Sequence, residues 1–262
     1  TSPFAFTGNT FEFRMPGSAE NLSDANFILN TAVAKELKEF CAATEDAADF
    51  ECAAAAWVKQ TLNDHRRVIF NGDGYSAAWE EEAERRGLPN RKCTPDAMIA
   101  LKDPKNIELM EEFGVLTKTE MLSRYEVEME HYSKVINIEA RTMLKIANKQ
   151  LIPAATSYMG DVAGTAAAKT SVSESISTHA ETKLLTELSK YTDEMSDAAD
   201  ELKAVTDEVS AMEDEAAKAH AFHDKVLPAM ARLRAAADVT EELCDEEYWP
   251  LPCYSRLLFY TE

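Results

Sequence analysis

From Leu188 to Met212, apolar residues recur at alternating intervals of three and four: Leu188, Tyr191, Met195, Ala198, Leu202, Val205, Val209 and Met212. This heptad period marks the seam of helices that pack along one another, so the stretch requires a long helix with a partner beside it. A charged break, Glu213-Asp214-Glu215, precedes a second apolar stripe of Phe222, Val226, Met230 and Leu233. The pattern predicts a coiled-coil-like antiparallel hairpin over about 173–238, with Pro228 bending its second arm because proline removes one helix hydrogen bond. A single helix through the break is the alternative, since acidic residues do not stop helices.

Upstream, the longest regular pattern opens at Thr117 or Thr119 and runs to about Tyr158. Its apolar positions cover more than one stripe, which predicts burial on two sides, and Pro153 should kink it near its end. Gly160-Asp-Val-Ala-Gly164-Thr165 lacks the Lys-Ser/Thr pair of a phosphate loop and reads as a flexible connector. Before residue 117 the elements are shorter. Ser23 or Asp24 caps a helix to about Phe40, a second spans about Asp46 to Ile69 with basic residues at its end, and a third runs from Ser76 to Arg86, stopped by Gly87 and Pro89. Thr94-Pro95 and Asp103-Pro104 each place proline at a first helical position.

An apolar share of 45% with only 8 glycines fits a helical protein, and no sheet-rich fold is indicated. The formal net charge of -20 sets up a field that repels phosphate backbones and anionic lipid, so neither nucleic acid nor membrane is an expected partner. Five cysteines, odd in number and without a Cys-x-x-Cys pair, favour reduced thiols in a cytosol-like compartment. No apolar run approaches the ~18 residues of a membrane span.

Three local patterns invite chemistry. In Asn71-Gly-Asp-Gly74, Asn71, Asp73, Gly74 and Glu80 fall at calcium-loop positions, but Ile69 stands where the first carboxylate belongs, so a glycine turn is the reading. His220 and His223 share a helix face at metal-ligand spacing without a third partner nearby, and read as a solvated or packed pair. The aromatic, proline-rich end from Tyr248 to Tyr260 reads as a packed tail, with a ligand site as the alternative. At the other end, Phe11 to Met15 alternate apolar and charged, so as a strand they set Glu12 and Arg14 on one face. Glu offers hard oxygen ligands and Arg a bidentate fork for carboxylate or phosphate, which suits a metal-and-anion site. A half-buried strand with a solvated ion pair is the other reading.

The run Ser2-Pro-Phe-Ala-Phe-Thr-Gly-Asn9, then Phe11-Glu-Phe-Arg14 and Asn26-Phe-Ile-Leu-Asn30, resembles the last catalytic strand and following helix of the type III glutamine synthetases. Asn71-Gly-Asp-Gly-Tyr-Ser76, Glu84-Arg-Arg-Gly-Leu-Pro-Asn90, Ser123-Arg-Tyr-Glu126, Leu227-Pro-Ala-Met230 and Trp249-Pro-Leu-Pro-Cys-Tyr254 resemble that family's C-terminal region. The resemblance implies a C-terminal fragment of such an enzyme. It implies a mainly α fold with long helices, preceded by a short strand region from a catalytic α/β domain. Residues 1–70 would end the catalytic domain, and 71–262 would form a helical C-terminal domain. The sheet partners of Phe11–Met15 are then expected upstream, in a part not in this chain.

By the same resemblance, the whole protein would be a glutamate–ammonia ligase. ATP phosphorylates the side-chain carboxylate of glutamate, and ammonia then displaces phosphate from the acyl phosphate. Mg2+ or Mn2+ would neutralise the transferring phosphoryl group. Glu12 maps onto a metal ligand, and Arg14 onto a catalytic, substrate-binding residue that contacts glutamate or phosphate. Thr10 stands where many superfamily members carry a basic residue. The remaining ligands would lie upstream, so the chain alone is expected to be inactive. The family implies homo-oligomeric rings, two stacked hexamers, and a cytoplasmic location, or an organelle if a transit peptide precedes. A non-catalytic helical scaffold for oligomerisation is the alternative function.

Overall fold

The computed structural model describes residues 4–6, 8–13, 21–74, 76–252 and 257–258. It is mainly α-helical. Contacts divide the chain into two compact units, Thr1–Tyr125 and Glu126–Glu262. Each is described by itself.

The first unit opens with strands β1 (Phe4–Phe6) and β2 (Phe11–Phe13), paired antiparallel. The expectation that β2 would have sheet partners only upstream is therefore corrected. The chain turns back through a loop in which Gly8 takes a φ of 103°, a left-handed value that glycine adopts without a Cβ clash. Helix α1 spans Leu22–Thr44, capped by Asn21, whose side chain accepts from the Ser23 amide, rather than by Ser23 or Asp24. Helix α2 (Phe50–Asp64) is capped by Asp49 and ends earlier than its apolar pattern suggested. The basic run beyond it forms a separate 3-10 turn, Arg66–Val68. Phe40 of α1 meets Phe50 and Trp57 of α2 edge-on, at centroid distances of 6.1 and 5.2 Å.

Ser76 caps α3 (Ala77–Arg85), and Gly87 terminates it at a φ of 70°. Phe70 stacks on Trp79 at 4.1 Å, and Arg86 covers Trp79 while donating to the Ile69 carbonyl. Glu82 bridges Arg85 and Arg86, and these two partners pull its carboxyl down to about 2. Helix α5 (Pro104–Glu112) begins at its proline as expected, while α4 (Thr94–Met98) begins one residue before Pro95. Lys35 and Lys38 of α1 both reach Glu112 of α5, at 3.1 and 2.8 Å. Ile107, Met110 and Met121 form the small core, with Phe27, Leu101 and Leu116 against it.

Helix α6 (Lys118–Ile146) passes through a π-helical turn, Ala147–Leu151, into α7 (Ile152–Val172). The connector expected at Gly160–Thr165 is thus helix. Surrounding alanines offset the roughly 1 kcal/mol that each interior glycine costs. Pro153 does not end the helix, because the wider turn before it, in which the Ile152 amide donates to the Ala147 carbonyl, gives the proline ring room. The same device recurs in the second arm. Phe222–Val226 is a π-turn directly before Pro228, with the Leu227 amide donating to the Phe222 carbonyl.

Two-sided burial of α6 is not seen. Met129, Ser133, Ile136 and Ala140 form one buried stripe, while Val127 and Ile138 are 55% and 65% exposed, so the additional apolar positions face outward in this chain.

After a turn at 173–178 comes α8 (His179–Ser210), then α9 (Glu215–Ala221), capped by Asp214, and α10 (Leu227–Leu243). The acidic break is thus a turn and not a continuous helix. Glu201 pairs with Arg232 and Glu208 with Lys225, so each step forward on α8 is a step back on the second arm, and the two run antiparallel. Arg141 to Asp207 and Lys169 to Glu181 set the α6–α7 rod antiparallel to α8 as well. Three of these pairs are exposed and add little, while the Glu181 side chain of the fourth is only 14% exposed, so apolar packing holds the layer. Its core contains Ile136, Ala140, Met195, Leu202, Val209, Phe222, Val226 and Leu233.

The buried seam of α8 is Leu188, Thr192, Met195, Ala199, Leu202, Thr206 and Val209. Tyr191, Ala198 and Val205, expected on the seam, are only half-buried. The heptad holds, but three positions shift by one residue, two of them onto threonines that an apolar count skips. The hydroxyls of Thr192 and Thr206 are buried without a hydrogen-bond partner. Replacing such a group by an apolar one of like shape removes a desolvation penalty of about 1–3 kcal/mol. Thr206→Val is therefore expected to raise stability by about 1 kcal/mol in urea unfolding. A lower midpoint would show that the hydroxyl is satisfied.

No helix among the described residues is long and apolar enough to cross a membrane.

Candidate functional site

Of the two residues read as catalytic, the structure describes one. Glu12 sits at the centre of β2, directly opposite Ala5 of β1, and is exposed. The extended backbone that places it follows from the alternation of Phe11, Glu12 and Phe13 and from the Gly8 turn that returns the chain in register. Arg14 lies outside the described residues. Thr10, exposed in the loop before β2, likewise offers no cation for a nucleotide phosphate.

An exposed carboxylate on a short strand is a fit ligand for a hard divalent ion, but such an ion takes about six oxygens. Glu12 joins no cluster of three or more metal-capable side chains among the described residues. The Asp73 carbonyl accepts from the Ser76 hydroxyl at 2.7 Å, so the glycine loop forms a turn that starts α3. His223 Nδ1 lies 2.7 Å from an Asp224 carboxylate oxygen.

The chain's comparisons with known proteins agree with the sequence motifs. Residues 53–170 match the glutamine synthetase C-terminal domain family. Over 266 residues, 99% of its length, the chain is 33% identical to the type-3 glutamine synthetase of Dictyostelium discoideum. The chain is thus similar to glutamine synthetases along nearly its whole length. It is also 32% identical over 267 residues to a glutamine synthetase of Bacteroides fragilis and 35% identical over 264 to one of Butyrivibrio fibrisolvens, with 99% of this chain covered in each case. It spans 36% of the Dictyostelium protein's length and 37% of each bacterial one. Relative to the family match at 53–170, the β1–β2 hairpin and Glu12 lie N-terminal, while α8 to α10 follow it.

A second feature lies at the aromatic end of the chain. A cavity of about 410 Å3 opens in the unit of residues 126–262, beside the π-turn and under Trp249. Near it, Tyr248 donates its hydroxyl to Asp161 and rests on Tyr158 at 5.0 Å. That bond pushes the Tyr248 phenol up, burial does the same to Tyr158, and burial also raises the Cys244 thiol. The tail through Trp249 is therefore packed, and its thiol is held in the unreactive protonated form. Only the aromatic content of residues 248–254 could have hinted at a pocket here.

Proposed function

We propose that this chain is part of a glutamate–ammonia ligase, in which residues 1–70 complete the catalytic domain and 71–262 form a helical C-terminal domain. The observation that supports this most is identity of 32–35% along 99% of the chain to three glutamine synthetases. Glu12 would hold Mg2+ or Mn2+ together with ligands from the rest of the protein, and the ion would neutralise charge on the phosphoryl group passing from ATP. Arg14 would bind glutamate or that phosphoryl group through its planar fork. In this reading the substrates are glutamate, ammonia and ATP, the protein is cytoplasmic, and the assembly is a homo-oligomeric ring, two stacked hexamers by family resemblance.

A scaffold role is supported separately by exposed apolar side chains. Val33 and Leu37 on α1, Val58 and Leu62 on α2, and Val127 and Ile138 on α6 are surfaces that an assembly would cover. The two roles are compatible. The deciding test is glutamine formation from glutamate, ammonia and ATP by the full-length protein, with and without Mg2+, alongside the chain of residues 1–262 alone. Metal-dependent product from the full-length protein and none from the chain alone is expected. No product from the full-length protein leaves the scaffold reading.

A further inference from the structure

We infer that the outward face of α6 and of the π-turn after it, from Glu126 to Lys149, is a docking surface for the same face of a second copy of this chain, with the two helices antiparallel. This deepens the scaffold reading and rests on it. The face carries Val127, Val135 and Ile138, which are 55%, 37% and 65% exposed, together with exposed His131, Thr142 and Lys145. Neighbours in this set are three or four residues apart, so all six lie on one side of the helix, opposite the buried stripe of Met129, Ser133, Ile136 and Ala140.

The occupant follows from charge. Residues 126–133 carry Glu126, Glu128 and Glu130 and no Lys or Arg, whereas 134–149 carry Lys134, Arg141, Lys145 and Lys149 against Glu139 alone. The helix macrodipole does not account for this segregation, because its effect fades within the first and last turns. Here α6 starts at Lys118, well before Glu126, and the helix runs on from Lys149 to Val172. Pairing within the chain takes up only part of the charge. Glu130 meets Lys134 at 2.6 Å and Arg141 meets Asp207 at 3.3 Å, while Glu126, Glu128, Lys145 and Lys149 are in no ion pair among the described residues.

Unpaired acids thus stand at one end of the face and unpaired bases at the other. A parallel copy would set like against like, whereas an antiparallel copy sets each end against its opposite, and a twofold axis does so twice. With Val135 of one copy beside Ile138 of the other, Glu128 comes level with Lys145 of the second copy. The apolar residues then lose water at the centre, and the charged ends fix the direction.

Carbodiimide joins a carboxylate to an amine only where the two touch. Along one helix Glu128 and Lys145 are about 25 Å apart, at roughly 1.5 Å per residue, so a link between them joins two copies. The full-length protein is treated with carbodiimide, its linked peptides are mapped by mass spectrometry, and sedimentation velocity reads whether copies associate. An oligomer is expected, with Glu126 or Glu128 linked to Lys145 or Lys149. Ile138→Arg, which sets two cations at the centre of the contact, should lower the yield of that link at least about fivefold. Links between copies elsewhere but none joining these residues, or a yield that Ile138→Arg leaves unchanged, overturns the α6 contact and leaves the scaffold reading standing. A monomer without links between copies overturns both. The mapping on wild type alone decides the matter if Ile138→Arg does not fold.

Discussion

Leu202→Asp is expected to destabilise the chain by about 3–5 kcal/mol, because it leaves an unpaired charge in a dry core. Leu202 is fully buried, in one core cluster with Met195, Val209, Phe222 and Leu233. Leu202→Ala also destabilises, by the lost transfer energy and the cavity left behind, about 2–5 kcal/mol. Magnitude alone therefore does not separate the two causes, but pH does. The buried Asp carboxyl has a folded pKa above its unfolded value of about 3.9, so relative to wild type the penalty is smallest below that value. It grows as pH rises through the folded pKa. Urea unfolding of wild type and both variants at pH 4 and pH 7 is the measurement. An Asp variant as stable as wild type at pH 7 would mean that the α8 seam is open to water. An Asp penalty equal to the Ala penalty at both pH values would mean that water reaches the site.

Glu12 and Arg14 are expected to fail in different ways in the full-length protein. Glu12→Gln keeps the shape of the side chain but removes the charge that makes it a hard ligand, so the metal requirement should rise and activity should partly return at high Mg2+. Arg14→Lys keeps the charge but loses the planar fork, so bidentate contact with glutamate or the phosphoryl group is lost while metal affinity changes little. For Arg14 the rate should fall about 10²-fold or more, the cost of removing one preorganised donor from developing negative charge. Steady-state glutamine formation across an Mg2+ titration resolves the two. Wild-type rates for both variants at every metal concentration would make Glu12 a solvated strand residue and sink the catalytic assignment.

The two predictions draw on different levels of information. Glu12 and Arg14 were singled out by a strand alternation and a family motif, and the structure adds the hairpin partner, β1, for one of them. The identity of the remaining metal ligands is not legible in this stretch, because a divalent site gathers oxygens from several separate segments. Leu202 was legible from heptad spacing alone, since a long helix with a 3.5-residue apolar period has one face to bury.

What the sequence determined by itself is the class of fold, the family resemblance, and the starts of α3 to α6. Local rules govern these. Ser76 and Asp103 accept backbone N–H groups, Pro95 and Pro104 preset φ, and Gly87 tolerates a left-handed turn, whatever surrounds them. Packing decided the rest. Thr192 and Thr206 joined the buried seam instead of Tyr191 and Val205 because the partner helix fixes the rotation of α8, and polarity did not outweigh position. Pro153 and Pro228 each sit after a π-turn that lets the helix run on, which the prolines alone do not specify. Gly160 and Gly164 read as a linker, yet α7 carries both through as helix. The cavity under Trp249 exists only where the π-turn, α10 and the tail converge, with more than a hundred positions between its first and last wall residues. No local pattern could announce it, because its shape is what these elements leave unfilled between them.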